Sequence, residues 1–157
     1  MPQITRLLHK KMGEILIEAG LIKDDQLKTA LEHKAKNGCY LGESLVELGY
    51  LKETDIAYAL SKQYGFPYLD ATKYVIQVNY SNLASTELMW KNRFVILDKI
   101  GNCLILAVSG VIPDDLIEQI EQKSKCTLFV YISTVGQIQH ALKKYYKLSA
   151  SLNGFNK

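Results

Sequence analysis

The feature that most constrains this chain is a tandem repeat within its first 64 residues. Residues 11–34 recur as residues 40–63 at a constant offset of 29. The identities that fix the register are Gly13/Gly42, Glu14/Glu43, Leu16/Leu45, Glu18/Glu47, Gly20/Gly49, Lys23/Lys52, Ala30/Ala59 and Leu31/Leu60. A duplicated unit predicts two like structures packed on each other, with a pseudo-two-fold seam between them. Such a seam suits a two-fold partner or ligand.

Each copy has the pattern of a short helix, a glycine and a longer helix. In the first copy, apolar residues recur at helical spacing over Lys11–Ala19, and Gly20 is placed to end that helix in a left-handed conformation. An acidic pair beginning at Asp24 starts the next helix, where carboxylates favour the positive end of the dipole. The second copy repeats this order around Gly49, and Asn37-Gly38 predicts a turn between the copies. We therefore expect two tandem helical hairpins.

After Gly65-Phe66-Pro67 the helical period stops and a mixed pattern begins. We predict strands near Tyr74–Val78, Phe94–Lys99, Leu104–Val108 and Leu128–Ile132, with a hairpin at Gly101-Asn102. We predict helices at Asn82–Asn92, Asp114–Ser124 and Val135–Tyr146. The expected fold class is α+β, with a helical subdomain over residues 1–64, a small α/β subdomain with a short sheet over 65–147, and a linker or tail over 148–157.

Composition excludes several classes of protein. Hydrophobic residues make up 48% of the chain and charged residues 22%, as in a folded soluble protein. The formal net charge of +3 favours an anionic ligand but is too small for a DNA or RNA partner. No apolar run approaches the roughly 20 residues that span a bilayer, so direct membrane insertion is not expected. Three widely spaced cysteines predict reduced thiols in a cytosolic protein, with Cys103 and Cys126 buried as small hydrophobic side chains and Cys39 in no disulfide or zinc site.

The sequence contains no constellation that carries catalysis. There is no GxxxxGK[ST] loop to hold a triphosphate, and Ser109 lies in no nucleophile elbow. The acidic pairs at Asp24 and Asp114 start helices, where a capping role is expected rather than acid–base chemistry. We expect His33 on a solvated helix face, and no metal-ligand spacing relates the three histidines His9, His33 and His140. We therefore predict no enzyme activity, no catalytic residue and no metal site.

Spacing within the repeat leaves two interpretations of its ends open. Lys11 and Lys34 begin and end the first copy, and Tyr40 and Gln63 occupy the same places in the second. Lysine can meet a phosphate, tyrosine can stack on a base, and glutamine can pair with a purine edge. A glycine near the start of each copy would admit a ligand close to the backbone. The alternative is purely structural, with the glycines joining helices, the leucines forming core and the polar ends coating the surface.

The repeat resembles a known family. Each copy begins with a basic or aromatic residue and continues with Met/Leu-Gly, a Leu-Ile/Val step and Gly-Leu/Tyr-Ile/Leu. An Ala-Leu step follows, and the pattern runs to a terminal Gln. This order is similar to the tandem motif in the N-terminal domain of bacterial type II secretion and type IV pilus assembly ATPases. The version in the ATPase of the mannose-sensitive haemagglutinin pilus has the same layout. Three downstream segments are similar as well: Gly65–Asp70, Leu104–Val108 and Ile138–Tyr146. The resemblance therefore runs from Lys11 to Tyr146.

The resemblance implies a ligand and a set of contacts. In that family the module precedes a P-loop motor, and some members bind cyclic di-GMP, one guanylate half per motif. Carried over by position, the ligand-binding residues are Lys11, Met12, Gly13, Leu27, Leu31, Lys34, Tyr40, Leu41, Gly42, Ile56, Leu60 and Gln63. No cofactor is implied beyond this possible ligand.

The chain departs from the family pattern at the polar contact positions. The leading arginine has become Lys11 in one copy and Tyr40 in the other, and the first closing glutamine is Lys34. The family's frequent Asp-Pro reads Gly110-Val111 here. Because neither lysine nor tyrosine reproduces the planar fork of arginine, each lost bidentate contact costs about 1.5–3 kcal/mol.

The resemblance implies a cytoplasmic, non-catalytic module with a regulatory or docking role, peripheral to the inner membrane through its partners. One version is a cyclic di-GMP sensor with a partly degenerate site. The alternative is a protein–protein docking module that binds the inner-membrane platform of a secretion or pilus system and no nucleotide. The implied partners are an ATPase motor domain, in cis or in trans, and the platform or cytoplasmic pilus components.

Overall fold

The computed structural model of this protein describes residues 11–110 and 112–147. Predictions that concern residues 1–10 with His9, Val111, and the linker or tail at 148–157 lie outside the described residues. None of the described helices combines the length and apolar character needed to cross a membrane.

The repeat forms two helical hairpins, as predicted. Each copy has a short helix, a glycine with positive φ and a longer helix, and φ is 72° at Gly20 and 73° at Gly49. The helices are α1 Met12–Glu18, α2 Asp24–Asn37, α3 Leu41–Glu47 and α4 Glu53–Tyr64. The left-handed glycine lets the chain reverse after one or two turns of helix without a Cβ penalty.

The two hairpins pack directly against each other. Helix α2 contacts α3, and α1 contacts α4, so both helices of each hairpin pack against a helix of the other hairpin. The equivalent residues Leu16 and Leu45 are both fully buried in this seam. Helices this short are stable only through such tertiary burial. The duplicated units therefore lie side by side, as the repeat predicted.

The second half is a three-stranded sheet with helices, and the predicted α+β class is confirmed. The strands are β1 Phe94–Ile100, β2 Cys103–Val108 and β3 Thr127–Ile132 in the order β1-β2-β3. Strands β1 and β2 are antiparallel through the predicted hairpin, and β3 is parallel to β2. A 3-10 turn at Ala71–Lys73 comes first, and the helices are α5 Thr86–Lys91, α6 Asp114–Ser124 and α7 Val135–Tyr145.

The strand predicted at Tyr74–Val78 is wrong. That segment is irregular, although its alternation is real: Ile76 is buried while Val75 is 67% exposed. A register shift in β1 between Ile96 and Asp98 directs the Asp98 carboxylate to the Tyr74 hydroxyl, 2.8 Å away. Side-chain contacts therefore hold this segment beside β1, and no ladder forms.

Other boundaries differ in smaller ways. The helix predicted from Asn82 begins only at Thr86, because Ser85 Oγ accepts a hydrogen bond from the Leu88 amide and caps it there. The predicted burial of cysteine holds for Cys126, whereas Cys103 is half-buried at the start of β2.

Backbone pairing joins the two halves. The segment after α4 runs beside the end of β3, where the Leu69 amide donates to the Ile132 carbonyl at 2.8 Å and the Ile132 amide donates to the Pro67 carbonyl at 2.9 Å. Strand β1 begins at the edge of the sheet where β2 and β3 end. Three connecting segments therefore emerge together beside the helical hairpins.

Candidate functional site

A cavity of about 840 Å³ lies between the repeat and this edge of the sheet. Its volume is within the range of ligand-binding clefts. The repeat contributes the first turns of α1 and α3 and one face each of α2 and α4. The sheet half contributes the segments 91–93 and 133–135, together with Ser109, Gly110 and Pro113. The cavity therefore depends on both halves of the chain.

Ten of the twelve residues assigned to ligand binding from the sequence line this cavity: Lys11, Met12, Gly13, Leu27, Leu31, Lys34, Tyr40, Leu41, Gly42 and Ile56. The structure does not bring Leu60 or Gln63 to it. Leu60 is one helical turn beyond Ile56 and is fully buried in the core. Gln63 follows nearly a turn later, where α4 has passed the cavity wall.

The two equivalent glycines have different surroundings. A Cβ on Gly13 would lie 2.8 Å from Cδ1 of Leu27, closer than real Cβ atoms come to a neighbour. At Gly42 the nearest atoms would be Cδ1 of Ile56 at 3.6 Å and Sδ of Met12 at 3.8 Å, which is ordinary contact. A side chain at position 13 would therefore displace the end of Leu27, whereas Gly42 has room for a methyl group.

Tyr40, which begins the second copy, joins the repeat to the sheet half. Its hydroxyl donates to the backbone carbonyl of Lys91 at the end of α5. The guanidinium of Arg93 lies over its ring, 4.9 Å from the ring centroid. The residue is nevertheless 45% exposed and lines the cavity. Its ring therefore packs against the sheet half while still being open to the cavity.

Arg93 is the functional candidate that sequence reasoning missed. Its Nη2 donates to the Glu43 carboxylate, and its Nη1 donates to the Trp90 carbonyl at 3.2 Å. The guanidinium also lies over the ring of Trp90, 5.5 Å from the ring centroid. Within the described ranges, the buried Nε has no hydrogen-bond partner. The available signal was rarity, since Arg6 and Arg93 are the two arginines of the sequence.

The backbone holds Arg93 in place. Its φ is 54°, a left-handed conformation that few non-glycine residues adopt. Its carbonyl accepts two hydrogen bonds from the buried Ser109, from the amide at 3.1 Å and from Oγ at 3.2 Å. Ser109 thus anchors the residue that precedes β1.

The cavity has a slight excess of positive charge. Its basic residues are Lys11, Lys34, Lys91 and Arg93, and its acidic residues are Glu14, Glu43 and Glu53. The three lysines are exposed, and none of them forms an ion pair with another described residue. Of the carboxylates, Glu43 is already paired, and Glu53 accepts a hydrogen bond from the Gly136 amide at 3.3 Å. The three lysines outnumber Glu14 and Glu53, the two carboxylates that are not paired with Arg93, so the cavity favours an anion.

The sequence led us to expect His33 on a solvated helix face, and this prediction is wrong. It is half-buried between α2 and α3, where Nδ1 is 3.4 Å from Ser44 Oγ and Nε2 is 3.5 Å from a Glu47 carboxylate oxygen. Because α3 packs across the end of α2, the face that local periodicity leaves polar is covered by the second repeat copy.

The strongest pKa shifts lie away from the cavity lining. Burial and the hydrogen bond to Asp98 raise the pKa of Tyr74 to about 12. Burial also raises the pKa of Tyr146, whose hydroxyl donates to the Ile96 carbonyl at 2.6 Å. A hydrogen bond from the Thr72 side chain lowers the pKa of Asp70. These groups stabilise the sheet half and supply no acid or base to the cavity.

A family profile matches more than half of this chain. The profile is described as the MshEN domain and matches residues 64–152. The match begins at the end of α4, so it rests on the sheet half and does not include the tandem repeat.

Two curated relatives are both named type IV pilus assembly ATPase PilB. The protein of Myxococcus xanthus is 26% identical over 136 residues. That of Thermus thermophilus is 27% identical over 139 residues. Each alignment covers 87% of this chain but only 24% and 16% of the two relatives, respectively. The chain thus spans about a quarter or less of their length.

Solved structures share the fold. One described as MshE with cdg has a TM-score of 0.67 at 24% identity and covers 88% of this chain and 100% of that one. The N-terminal domain of XpsE has a TM-score of 0.67 at 18% identity, covering 88% and 99%. A second crystal form of that domain has a TM-score of 0.57 at 19% identity. At these identities the likeness establishes the fold alone.

Proposed function

We propose, because this chain belongs to the MshEN domain family, that it is a non-catalytic regulatory module of a type II secretion or type IV pilus assembly ATPase whose cavity binds cyclic di-GMP. The ligand would occupy the space between the tandem repeat and the edge of the sheet. Its binding would be felt by both halves of the chain, since both line the cavity.

The observation that carries this proposal is that equivalent positions of the two copies line one cavity. Lys11–Gly13 and Tyr40–Gly42 approach it from two helix starts, and Leu27 and Ile56 form its floor. Cyclic di-GMP consists of two identical guanylate units closed into a ring, so its two halves can meet two like surfaces. The MshE protein, which has the same fold, was solved with this ligand.

The cavity offers groups for each part of such a ligand. Lys11 and Lys34 present ammonium groups that can pair with phosphates as point charges. Leu31 is 45% exposed and lines the cavity, so it supplies apolar surface for a guanine ring. The Tyr40 ring supplies a stacking platform of the kind that bases use on aromatic side chains.

The guanidinium of Arg93 lies close to the place where the second copy lacks an arginine, with Glu43 as its ion-pair partner. Tyr40 cannot form a bidentate pair with a phosphate, but the Arg93 guanidinium lies 4.9 Å over its ring. The second half of the site thus has a guanidinium that comes from the sheet half. Its stacking on Tyr40 and Trp90 fixes the plane of the fork before any ligand arrives. Fixed donors lose less entropy on binding than mobile ones.

The curated relatives are pilus assembly ATPases, which supports a motor domain as the partner of this module. We infer that ligand binding at the junction of the two halves changes the surface that contacts that motor, or the inner-membrane platform of the system. The site of action would then be the cytoplasmic side of the inner membrane, reached through these partners.

The experiment is calorimetric titration of the chain with cyclic di-GMP, paired with a thermal-unfolding series. We expect one ligand per chain and a rising midpoint, because a ligand that binds only the folded state must stabilise it. GMP is the matched control: it carries the same base and phosphate but cannot bridge both half-sites, so it should bind far more weakly. No heat and no shift at about 100 µM cyclic di-GMP would rule out a physiological sensor.

A further inference from the structure

A second group of chemically active side chains lies outside the cavity, at the junction of the two repeat copies. His33 is in the last turns of α2, Cys39 follows the end of that helix, and Glu47 ends α3. One imidazole nitrogen, the Cys39 Sγ and one Glu47 carboxylate oxygen all lie within 4.8 Å of one another. Residues of both copies therefore meet at one point.

Ser44 contacts two members of this group from the buried side. It is fully buried, and its Oγ lies 3.1 Å from the Cys39 Sγ and 3.4 Å from the His33 Nδ1. The other ring nitrogen of His33, Nε2, lies 3.5 Å from the Glu47 carboxylate. The Cys39 Sγ lies on the Nδ1 side of the ring, 3.9 Å from that nitrogen, so each ring nitrogen has one of the other two candidate ligands beside it. In protein zinc sites one imidazole nitrogen binds the metal while a hydrogen bond to the other fixes the ring.

We propose that His33, Cys39 and Glu47 bind a divalent cation of the zinc type. Imidazole, thiolate and carboxylate are the ligands that Zn²⁺ takes, and a thiolate with an imidazole disfavours Mg²⁺ and Ca²⁺. Binding replaces the thiol proton of Cys39 by a sulfur–metal bond and releases that proton to solvent. Three protein ligands leave the fourth tetrahedral position to a water molecule or to an added ligand.

Such a site would lie next to the cavity in the chain but would not be part of its lining. His33 directly precedes Lys34 and Cys39 directly precedes Tyr40, and both of these following residues line the cavity. A bound ion would tie the end of α2 to α3 and so fix the connection between the two copies. The proposal is independent of cyclic di-GMP, because the metal groups do not line the cavity.

The test is titration of the reduced chain with Co²⁺ in chelator-free buffer. We expect one equivalent to give thiolate-to-cobalt charge-transfer absorption and visible bands of tetrahedral Co²⁺, both removed by Zn²⁺. Competition with a chromophoric chelator should give a zinc dissociation constant at or below about 1 µM. A hundredfold excess of Zn²⁺ over that constant should raise the thermal midpoint by roughly 5–10 °C.

Two substitutions assign the ligands. Cys39→Ser should abolish the charge-transfer band, whereas Cys103→Ser, which removes another half-buried thiol, should leave it unchanged. Glu47→Gln changes an exposed side chain without threatening the fold, and it should weaken zinc binding at least about tenfold. Circular dichroism checks that each variant is folded.

The proposal is overturned if Co²⁺ gives no charge-transfer band, if the band survives in Cys39→Ser, or if Zn²⁺ binds no more tightly than about 100 µM. In each of these cases the cluster is a hydrogen-bonded junction only. Affinity that falls as the pH is lowered, with one proton released per ion, supports thiolate coordination.

Discussion

The guanidinium of Arg93 stacks on the ring of Tyr40, 4.9 Å from its centroid, and this contact links the second repeat copy to the beginning of the sheet. The two residues are far apart in the sequence and come from different halves of the fold. The guanidinium also lies over the ring of Trp90, and its charge is paired with Glu43. The contact therefore stabilises the fold and the cavity together.

Arg93→Lys should lower the free energy of unfolding by about 1–2 kcal/mol, because lysine keeps the charge but loses the planar fork and its stacking. Urea unfolding followed by tryptophan fluorescence measures this loss. Lys125→Arg is the matched control: Lys125 also has a φ of 54° but is exposed, so the swap should change stability by less than about 0.5 kcal/mol. Equal effects of the two substitutions would show that the stacked arrangement contributes nothing.

Gly13→Ala and Gly42→Ala should differ although the glycines are equivalent in the repeat. Alanine gains helix propensity at both positions, by up to about 1 kcal/mol. At Gly13 its methyl group would displace Leu27, and overpacking of this kind costs about 1–3 kcal/mol. We expect Gly42→Ala to be the more stable variant by about 1–3 kcal/mol in chemical denaturation. Two variants of equal stability would mean that Leu27 moves aside without cost.

Stability should fall in alkaline solution as Tyr74 titrates. Its pKa is raised from 10.0 to about 12, so the folded state holds the phenolic proton more tightly than the unfolded chain does. The contribution is complete below pH 10 and is lost as the pH rises toward 12. Tyr74→Phe should flatten that fall, while losing about 1 kcal/mol at neutral pH with the hydrogen bond to Asp98.

Urea unfolding at a series of pH values measures this slope. Tyr58→Phe is the control, because Tyr58 is 58% exposed and is not part of the Tyr74–Asp98 hydrogen bond. A Tyr74→Phe slope identical to that of the parent chain would show that another group governs alkaline unfolding.

Lys11→Ala and Lys34→Ala should each weaken cyclic di-GMP binding about tenfold, since each removes one charged contact to phosphate. The loss should shrink as salt is added, because the contacts are exposed and screened. Lys62→Ala provides the matched control, since Lys62 is exposed on α4 and does not line the cavity. Calorimetry at two salt concentrations measures the affinity of each variant. If Lys11→Ala and Lys34→Ala lose no more affinity than Lys62→Ala does, neither lysine contacts the ligand.

Much of the fold could be read from the sequence because it is encoded locally. The family resemblance is confirmed by the profile match and the relatives. Gly20 and Gly49 mark left-handed helix ends in both copies, and the bounds of α6 agree with those predicted for Asp114–Ser124. The strand predicted at Tyr74–Val78 failed because alternation reports burial on one side and not the presence of a pairing partner.

The candidate site was predictable only in part. Repeat spacing and the family motif pointed to residues that line the cavity, because equivalent positions of a duplicated unit face one seam. They also pointed to Leu60 and Gln63, which α4 carries past the cavity wall. Nothing in the repeat indicated Arg93, which comes from the other half of the chain.

By itself the sequence determined the duplicated hairpins, the change from helical to mixed structure after Gly65, and the absence of a phosphate-binding loop motif, since short-range periodicity and turn chemistry encode these features. Only the tertiary structure decided that Arg93 meets Tyr40 and that His33 meets Cys39 and Glu47. Such meetings depend on how α3 and the sheet edge pack, and packing is set by the shape of the whole core, which no single stretch of sequence contains.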